Sequence, residues 1–116
     1  MLKKNKNQLT VDEFLQYVPK RLDFEWYTDE DGIVHIRVPK FKSKIGEQFC
    51  RLIHKENIFI ANLDKKGSLV WKNCDGKKTV KQILDILKKE FPDEKDIDQR
   101  LFLFLHNMKN LNYIDY

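Results

Sequence analysis

Polar and apolar residues alternate twice in the first third of the chain and recur every three to four positions through most of its second half. From Leu22 to Tyr27, Leu22, Phe24 and Trp26 fall on one side and Asp23 and Glu25 on the other, the pattern of a half-buried strand. From Ile33 to Val38, Val34, Ile36 and Val38 oppose Ile33, His35 and Arg37. Thr28-Asp29-Glu30-Asp31-Gly32 lies between, with a glycine placed to take a positive φ. The two runs therefore predict an antiparallel hairpin, which Pro39 stops. Asn57 to Leu63 is short and rich in β-formers, and predicts a third strand.

Helical spacing takes over around these strands. Thr10 and Glu13 form a capping-box pair, with Val11, Phe14, Leu15 and Val18 on one face, so a short helix is expected from Thr10 to Tyr17, which Pro19 ends. Ile45, Phe49, Leu52 and Ile53 predict another short helix over 43–54, weakened by Gly46. Asp64 is placed to cap a helix whose face is Gly67, Val70, Trp71 and Cys74, and Gly76 suits its left-handed end. Thr79 and Gln82 form a second capping box before Val80, Ile83, Leu84, Leu87 and Phe91. After Pro92, the last helix is expected from Asp96 to Asn110, with Ile97, Leu101, Phe104, Leu105, Met108 and Leu111 towards the core. Tyr113 to Tyr116 reads as an extended tail able to pair with a strand.

Sheet and helices are thus segregated along the chain, which is the α+β class. The expected architecture is winged-helix-like, a three-stranded antiparallel sheet followed by three helices. Residues 1–21 form a basic tail with a short helix, and 22–116 form the domain. Its 116 residues suit one domain.

Composition sharpens this without changing it. The net charge of +4 is concentrated at the start, where Lys3, Lys4 and Lys6 precede any acid, while the remainder carries mixed signs. That balance permits an acidic partner but equally describes a solubilising surface. Cys50 and Cys74 are far apart, with no CxxC and no zinc spacing among the scattered His35, His54 and His106. A three-cysteine iron–sulfur site cannot be built from two cysteines, and no cofactor is expected. Both fit thiols in a reducing compartment. No apolar run reaches the roughly 18 residues of a membrane span, and no signal peptide is visible. Cytoplasm without a membrane partner is the expectation. Glycine-rich phosphate loops, GxSxG and HExxH are absent, so the chain does not read as an enzyme. Asp29, Glu30 and Asp31 lack the spacing of a calcium loop and suit an exposed turn.

Two places could bind a partner. On the last helix, with Ile97 at zero and about 100° per residue, the core face centres near 20°. Phe102 then falls near 140° and Leu103 near 240°, both well off that face. One flank is an open apolar surface unless the N-terminal helix or the 43–54 segment covers it. On the third strand, the edge turned away from the hairpin carries unpaired backbone groups, with Ile58 and Ile60 on one face and Phe59 and Ala61 on the other. An extended peptide can add to such an edge. The same edge permits strand exchange between two copies in a homodimer.

Leu63-Asp64-x-x-Gly67-x-x-x-Trp71-x-x-Cys74-Asp75-Gly76-x-x-Thr79-x-x-x-Ile83 resembles the signature of the PqqD family, the prototype of the RiPP recognition element. The resemblance runs from about residue 56 to the end and implies a winged-helix-like, non-catalytic peptide-binding chaperone. It implies a precursor-peptide leader lying as an added strand along the third strand and against the last helix. Carried onto this sequence, the site is Ile58, Phe59, Ile60, Ala61 and Asn62 with Arg100, Leu103, Phe104 and Asn107. It also implies a partner, a peptide-modifying enzyme using S-adenosylmethionine and iron–sulfur clusters in radical chemistry. Residues 1–21 and 40–55 have no counterpart in the short family pattern. The signature residues themselves are what a helix pair needs to fold.

The alternative is a winged-helix nucleic-acid-binding protein, supported by Lys77, Lys78, Lys81, Lys88 and Lys89. Against it, the last helix would lead with Asp93, Glu94, Asp96 and Asp98, which repel the phosphates a recognition helix must approach.

Overall fold

The computed structural model describes residues 10–40, 43–54 and 56–116, so the expected basic tail at 1–8 lies outside the described residues. In chain order the elements are α1 (Val11–Leu15), β1 (Lys20–Arg21), β2 (Glu25–Thr28), β3 (Val34–Pro39), α2 (Lys44–Leu52), β4 (Ile58–Asn62), α3 (Lys65–Asn73), α4 (Val80–Glu90), α5 (Ile97–Asn110) and β5 (Ile114–Asp115). The order of hairpin, crossover helix, strand and three helices is the expected one. The fold is α+β and winged-helix-like, with β2, β3 and β4 in one antiparallel sheet. The chain gathers into two compact units, Asp23–Ser68 and the segment ending at Leu22 together with Leu69–Tyr116.

The first unit is built on the sheet. The hairpin turn closes as its sequence expects, with Gly32 at φ 79°. Asp29 supplies the local bonds: its Oδ1 accepts from the N–H groups of Asp31 and Ile33, at 2.9 and 3.0 Å. In β3, Val34, Ile36 and Val38 are buried while Arg37 and Pro39 are exposed, the predicted alternation. β2 departs from expectation. It starts at Glu25 and not at Leu22, and all four of its residues are exposed. Alternation sets which side chains share a face, and a face is buried only where another element packs on it.

α3 begins where Asp64 caps it, Oδ1 accepting from Gly67 N–H at 2.7 Å. Its buried Ser68 then accepts from Val34 N–H at 2.8 Å. α2 is capped by Ser43, whose hydroxyl accepts from Gly46 N–H at 3.1 Å. Gly46 and Cys50 are buried, whereas Ile45, Phe49, Leu52 and Ile53 all face solvent.

The second unit is helical, with a two-stranded antiparallel β1·β5 ladder. β5 is the expected pairing tail; its two-residue partner β1 is too short to carry a pattern. Arg21 leaves that ladder to cap the end of α3, its guanidinium donating to the carbonyls of Trp71 and Lys72, both at 2.9 Å. This satisfies acceptors that a helix C-terminus leaves over and places a cation at its negative end. The Asp75-Gly76 turn follows. Asp75 Oδ1 accepts from the N–H groups of Lys77 and Lys78, and Gly76 takes φ 76°. The α4 capping box forms in both directions, Gln82 N–H to Thr79 Oγ1 at 3.2 Å and Thr79 N–H to Gln82 Oε1 at 2.8 Å.

Trp71, Val80, Ile83, Leu87, Leu101 and Leu105 are buried here. Three expectations need correcting. α1 ends at Leu15, two residues before the expected Tyr17, and buries Phe14 but not Val11 or Val18. Leu111 is exposed because α5 has ended at Asn110. Phe104, assigned to the core face, is only half-buried.

Candidate functional site

β4 lies at the edge of its sheet and pairs with β3 alone among the described strands. The register matches Asn62 with His35, Ala61 with Ile36, Ile60 with Arg37, Phe59 with Val38 and Ile58 with Pro39. Two bonds just beyond the paired region set which backbone groups turn outward. Leu63 N–H donates to Val34 C=O at 3.0 Å, and Lys40 N–H donates to Asn57 C=O at 3.1 Å. In an antiparallel ladder, hydrogen-bonded and non-hydrogen-bonded pairs alternate. Phe59 and Ala61 therefore bond to β3, and Ile58, Ile60 and Asn62 direct their N–H and C=O groups away from it. Side chains follow the same parity. Phe59 and Ala61 share a sheet face with the buried Val38 and Ile36, and Ile58, Ile60 and Asn62 share the other with Arg37 and His35.

Asn62 is tied across the sheet. His35 Nδ1 lies 2.6 Å from Asn62 Oδ1, and His35 Nε2 lies 2.9 Å from Asp29 Oδ2. Both neighbours are acceptors in this arrangement, so the imidazole satisfies both only when it carries two protons. The Asp29 bond, then the Asn62 bond, raise its pKa from the ordinary value, and the same His35 bond foremost lowers that of Asp29. The Tyr27 ring stacks on the imidazole at 5.1 Å. The turn, β3 and the edge strand are thereby joined through one titratable ring. Sequence patterning treated His35 as one alternating position; the available signal was an Asx-type residue at the start of the turn six positions before a histidine.

α5 carries the other predicted residues on one arc. Leu103, Asn107, Arg100 and Phe104 run from about 240° to about 340° on the helical wheel. Leu103 is 61% exposed. Arg100 and Asn107 are exposed too, and Phe104 is half-buried. Arg100 reaches Glu94 at 3.3 Å. Phe102, the other outlying residue, is covered by α1: its ring meets that of Phe14 edge-on at 5.1 Å. The structure thus separates two residues that the helical wheel left equivalent. The β4 residues lie in the sheet unit and the α5 residues in the helical unit.

The signature residues serve the fold. Asp64 caps α3, Trp71 and Cys74 are buried, and Asp75 and Gly76 make the turn. Burial pushes the Cys74 thiol up to about 12. Cys50 is also a free, buried thiol. Among the described residues no three His, Cys, Asp or Glu side chains gather as a metal site, and no helix is long and apolar enough to cross a membrane.

A small winged-helix-like α+β fold with an open strand edge is the class of protein these observations define. The model of the family described as "Coenzyme PQQ synthesis protein D (PqqD)" matches residues 51–114, more than half of the chain. The chain belongs to the PqqD family, whose members are non-catalytic peptide-binding partners in coenzyme PQQ and RiPP biosynthesis. No curated protein and no solved structure matches it.

Proposed function

We propose that this protein binds the leader segment of a precursor peptide and presents it to a peptide-modifying enzyme of the radical S-adenosylmethionine class. The leader adds to the sheet as a strand along β4. The observation that carries this reading is the outward direction of the Ile58, Ile60 and Asn62 backbone groups on an edge strand. A partner strand there gains hydrogen bonds of main chain to main chain, which supply affinity with little demand on sequence. Selection among peptides falls to side chains: Ile58 and Ile60 on one face, Phe59 and Ala61 on the other, and the α5 arc of Arg100, Leu103, Phe104 and Asn107. Asn62, already engaged by His35, contributes through its backbone. The chemistry and its cofactors belong to the enzyme, and this chain positions the substrate. The free thiols of Cys50 and Cys74 suit work in the cytoplasm.

The test is a titration of the isotope-labelled protein with a synthetic leader, taken from a precursor peptide encoded beside its gene. Amide shifts should concentrate at 57–63 and 97–110. Shifts confined to other parts of the chain would remove the site assignment.

A further inference from the structure

α2 has no task in the reading above, and most of it precedes the matched stretch that begins at residue 51. Yet it is a well-formed helix. Ser43 caps it, and its buried residues are Gly46 and Cys50. Its remaining apolar residues, and Ile53 at its C-cap, are turned out. Ile45 is 80% exposed, Leu52 77%, Phe49 53% and Ile53 43%. At about 100° per residue these four fall within one arc roughly 100° wide. They form a continuous apolar stripe and not scattered exposed residues, which is the kind of surface that marks an interaction site.

Charge selects the occupant. Lys44 and Arg51 flank the stripe on one side, Lys40 lies just ahead of the helix, and the sequence adds Lys42 and Lys55. Only Glu47 and Glu56 oppose them between 40 and 56. An apolar stripe bordered by lysine and arginine is the pattern of a helix lying in the headgroup region of an anionic bilayer. A second copy of the chain fits less well. Two such segments would bring like charges together, and four side chains cover a few hundred Å², well short of the roughly 800 Å² per partner of a stable interface.

We propose that α2 is a peripheral docking surface for anionic lipid membranes, with Ile45, Phe49, Leu52 and Ile53 entering the interface and Lys44 and Arg51 meeting the headgroups. The expectation of no membrane partner rested on the lack of a spanning segment, and a helix lying on the surface needs none. Docking holds the leader-binding domain at the bilayer, so an enzyme or precursor found there is met at higher local concentration.

The test uses the full chain with vesicles of phosphatidylcholine alone and of phosphatidylcholine mixed with phosphatidylserine, read by co-sedimentation. Binding should be at least about tenfold tighter to the mixed vesicles and should weaken as salt rises. Ile45→Asp combined with Leu52→Asp should lose about tenfold or more. Both positions are exposed, so the thermal unfolding profile should stay unchanged. Lys44→Glu with Arg51→Glu should weaken the preference for anionic lipid about tenfold or more without touching the stripe. Failure to bind the mixed vesicles overturns the proposal. So does equal binding by the Asp variant and the unmodified chain, which would assign the effect to Lys3, Lys4 and Lys6. A dimer dissolved by the Asp variant, with no vesicle binding, would reassign the stripe to self-association. Leader affinity should be the same in every variant, which keeps this test separate from that of β4.

Discussion

Replacing Ile60 with proline tests the strand-addition reading at the level of a single N–H. Proline removes that donor and places a ring carbon where the hydrogen was. At most positions in a sheet this would damage the protein itself. Ile60 pairs with Arg37 without hydrogen bonding to it, as the flanking Leu63 to Val34 and Lys40 to Asn57 bonds require. Its N–H points away from β3, so the β3·β4 ladder keeps all its bonds in the variant. A bound leader loses one bond and also carries a carbonyl left facing the ring. An unsatisfied group of that kind costs about 1–3 kcal/mol, which is roughly a 5- to 150-fold rise in Kd. Fluorescence anisotropy with a labelled leader reads the Kd, and urea unfolding reads the stability.

The neighbouring position supplies the opposite expectation. Phe59 faces Val38 as a hydrogen-bonded pair, so Phe59→Pro breaks the internal ladder and destabilises the fold by about 1–3 kcal/mol. The reasoning therefore predicts an alternation: proline at 60 spares folding and weakens the leader, and proline at 59 weakens folding. Equal leader affinity for Ile60→Pro and the unmodified protein, with the fold intact, would refute strand addition at this edge. A stable Phe59→Pro beside an unfolded Ile60→Pro would refute the register.

Other expectations follow from the same contacts. Ser68→Ala leaves the buried Val34 N–H without its 2.8 Å acceptor and should cost about 1–3 kcal/mol in urea unfolding; a cost below about 0.5 kcal/mol would show that the bond is dispensable. The raised pKa of His35 means its contribution is full below the ordinary value of 6.5 and is lost as pH rises through the folded value; the lowered pKa of Asp29 means its share is present above 3.8 and is lost as pH falls through its own folded value. The stability gap between the unmodified protein and His35→Gln should therefore shrink on the alkaline side, and a gap constant from about pH 5 to about pH 9 would contradict the linkage. Cys74, with its thiol pushed up to about 12, should resist thiol reagents in the folded protein and react only on unfolding, as a timed disulfide-exchange assay can read. Leu103→Asp should change stability by less than about 0.5 kcal/mol, since the side chain is largely exposed, while weakening the leader about tenfold; undiminished affinity would take Leu103 out of the site.

The fold was legible where local chemistry and pattern agreed. Asp64, Thr79 and Gln82 cap the helices they were expected to cap, and Gly32 and Gly76 take the positive φ their turns require. These depend on residues within four positions of one another, and a sequence displays them directly. β1 was not legible because two residues carry no period. Its pairing comes from Ile114 and Asp115, more than ninety positions away, and from the Cys74 to Gly76 turn on its other side. The exposure of β2 was hidden for a related reason. Alternation in Leu22 to Trp26 reports which side chains share a face, and says nothing about whether that face is covered.

The same distinction governs both interaction surfaces. The parity of β4 was visible from the start, Ile58 and Ile60 against Phe59 and Ala61. Parity alone does not say which pair of residues turns its backbone outward. That depends on register, and the register is fixed by the Leu63 to Val34 and Lys40 to Asn57 bonds between segments distant in sequence. In α2 the apolar stripe was equally visible, and spacing alone would assign it to a core. The structure reverses the assignment: the buried residues of this helix are Gly46 and Cys50, beside the stripe and not within it.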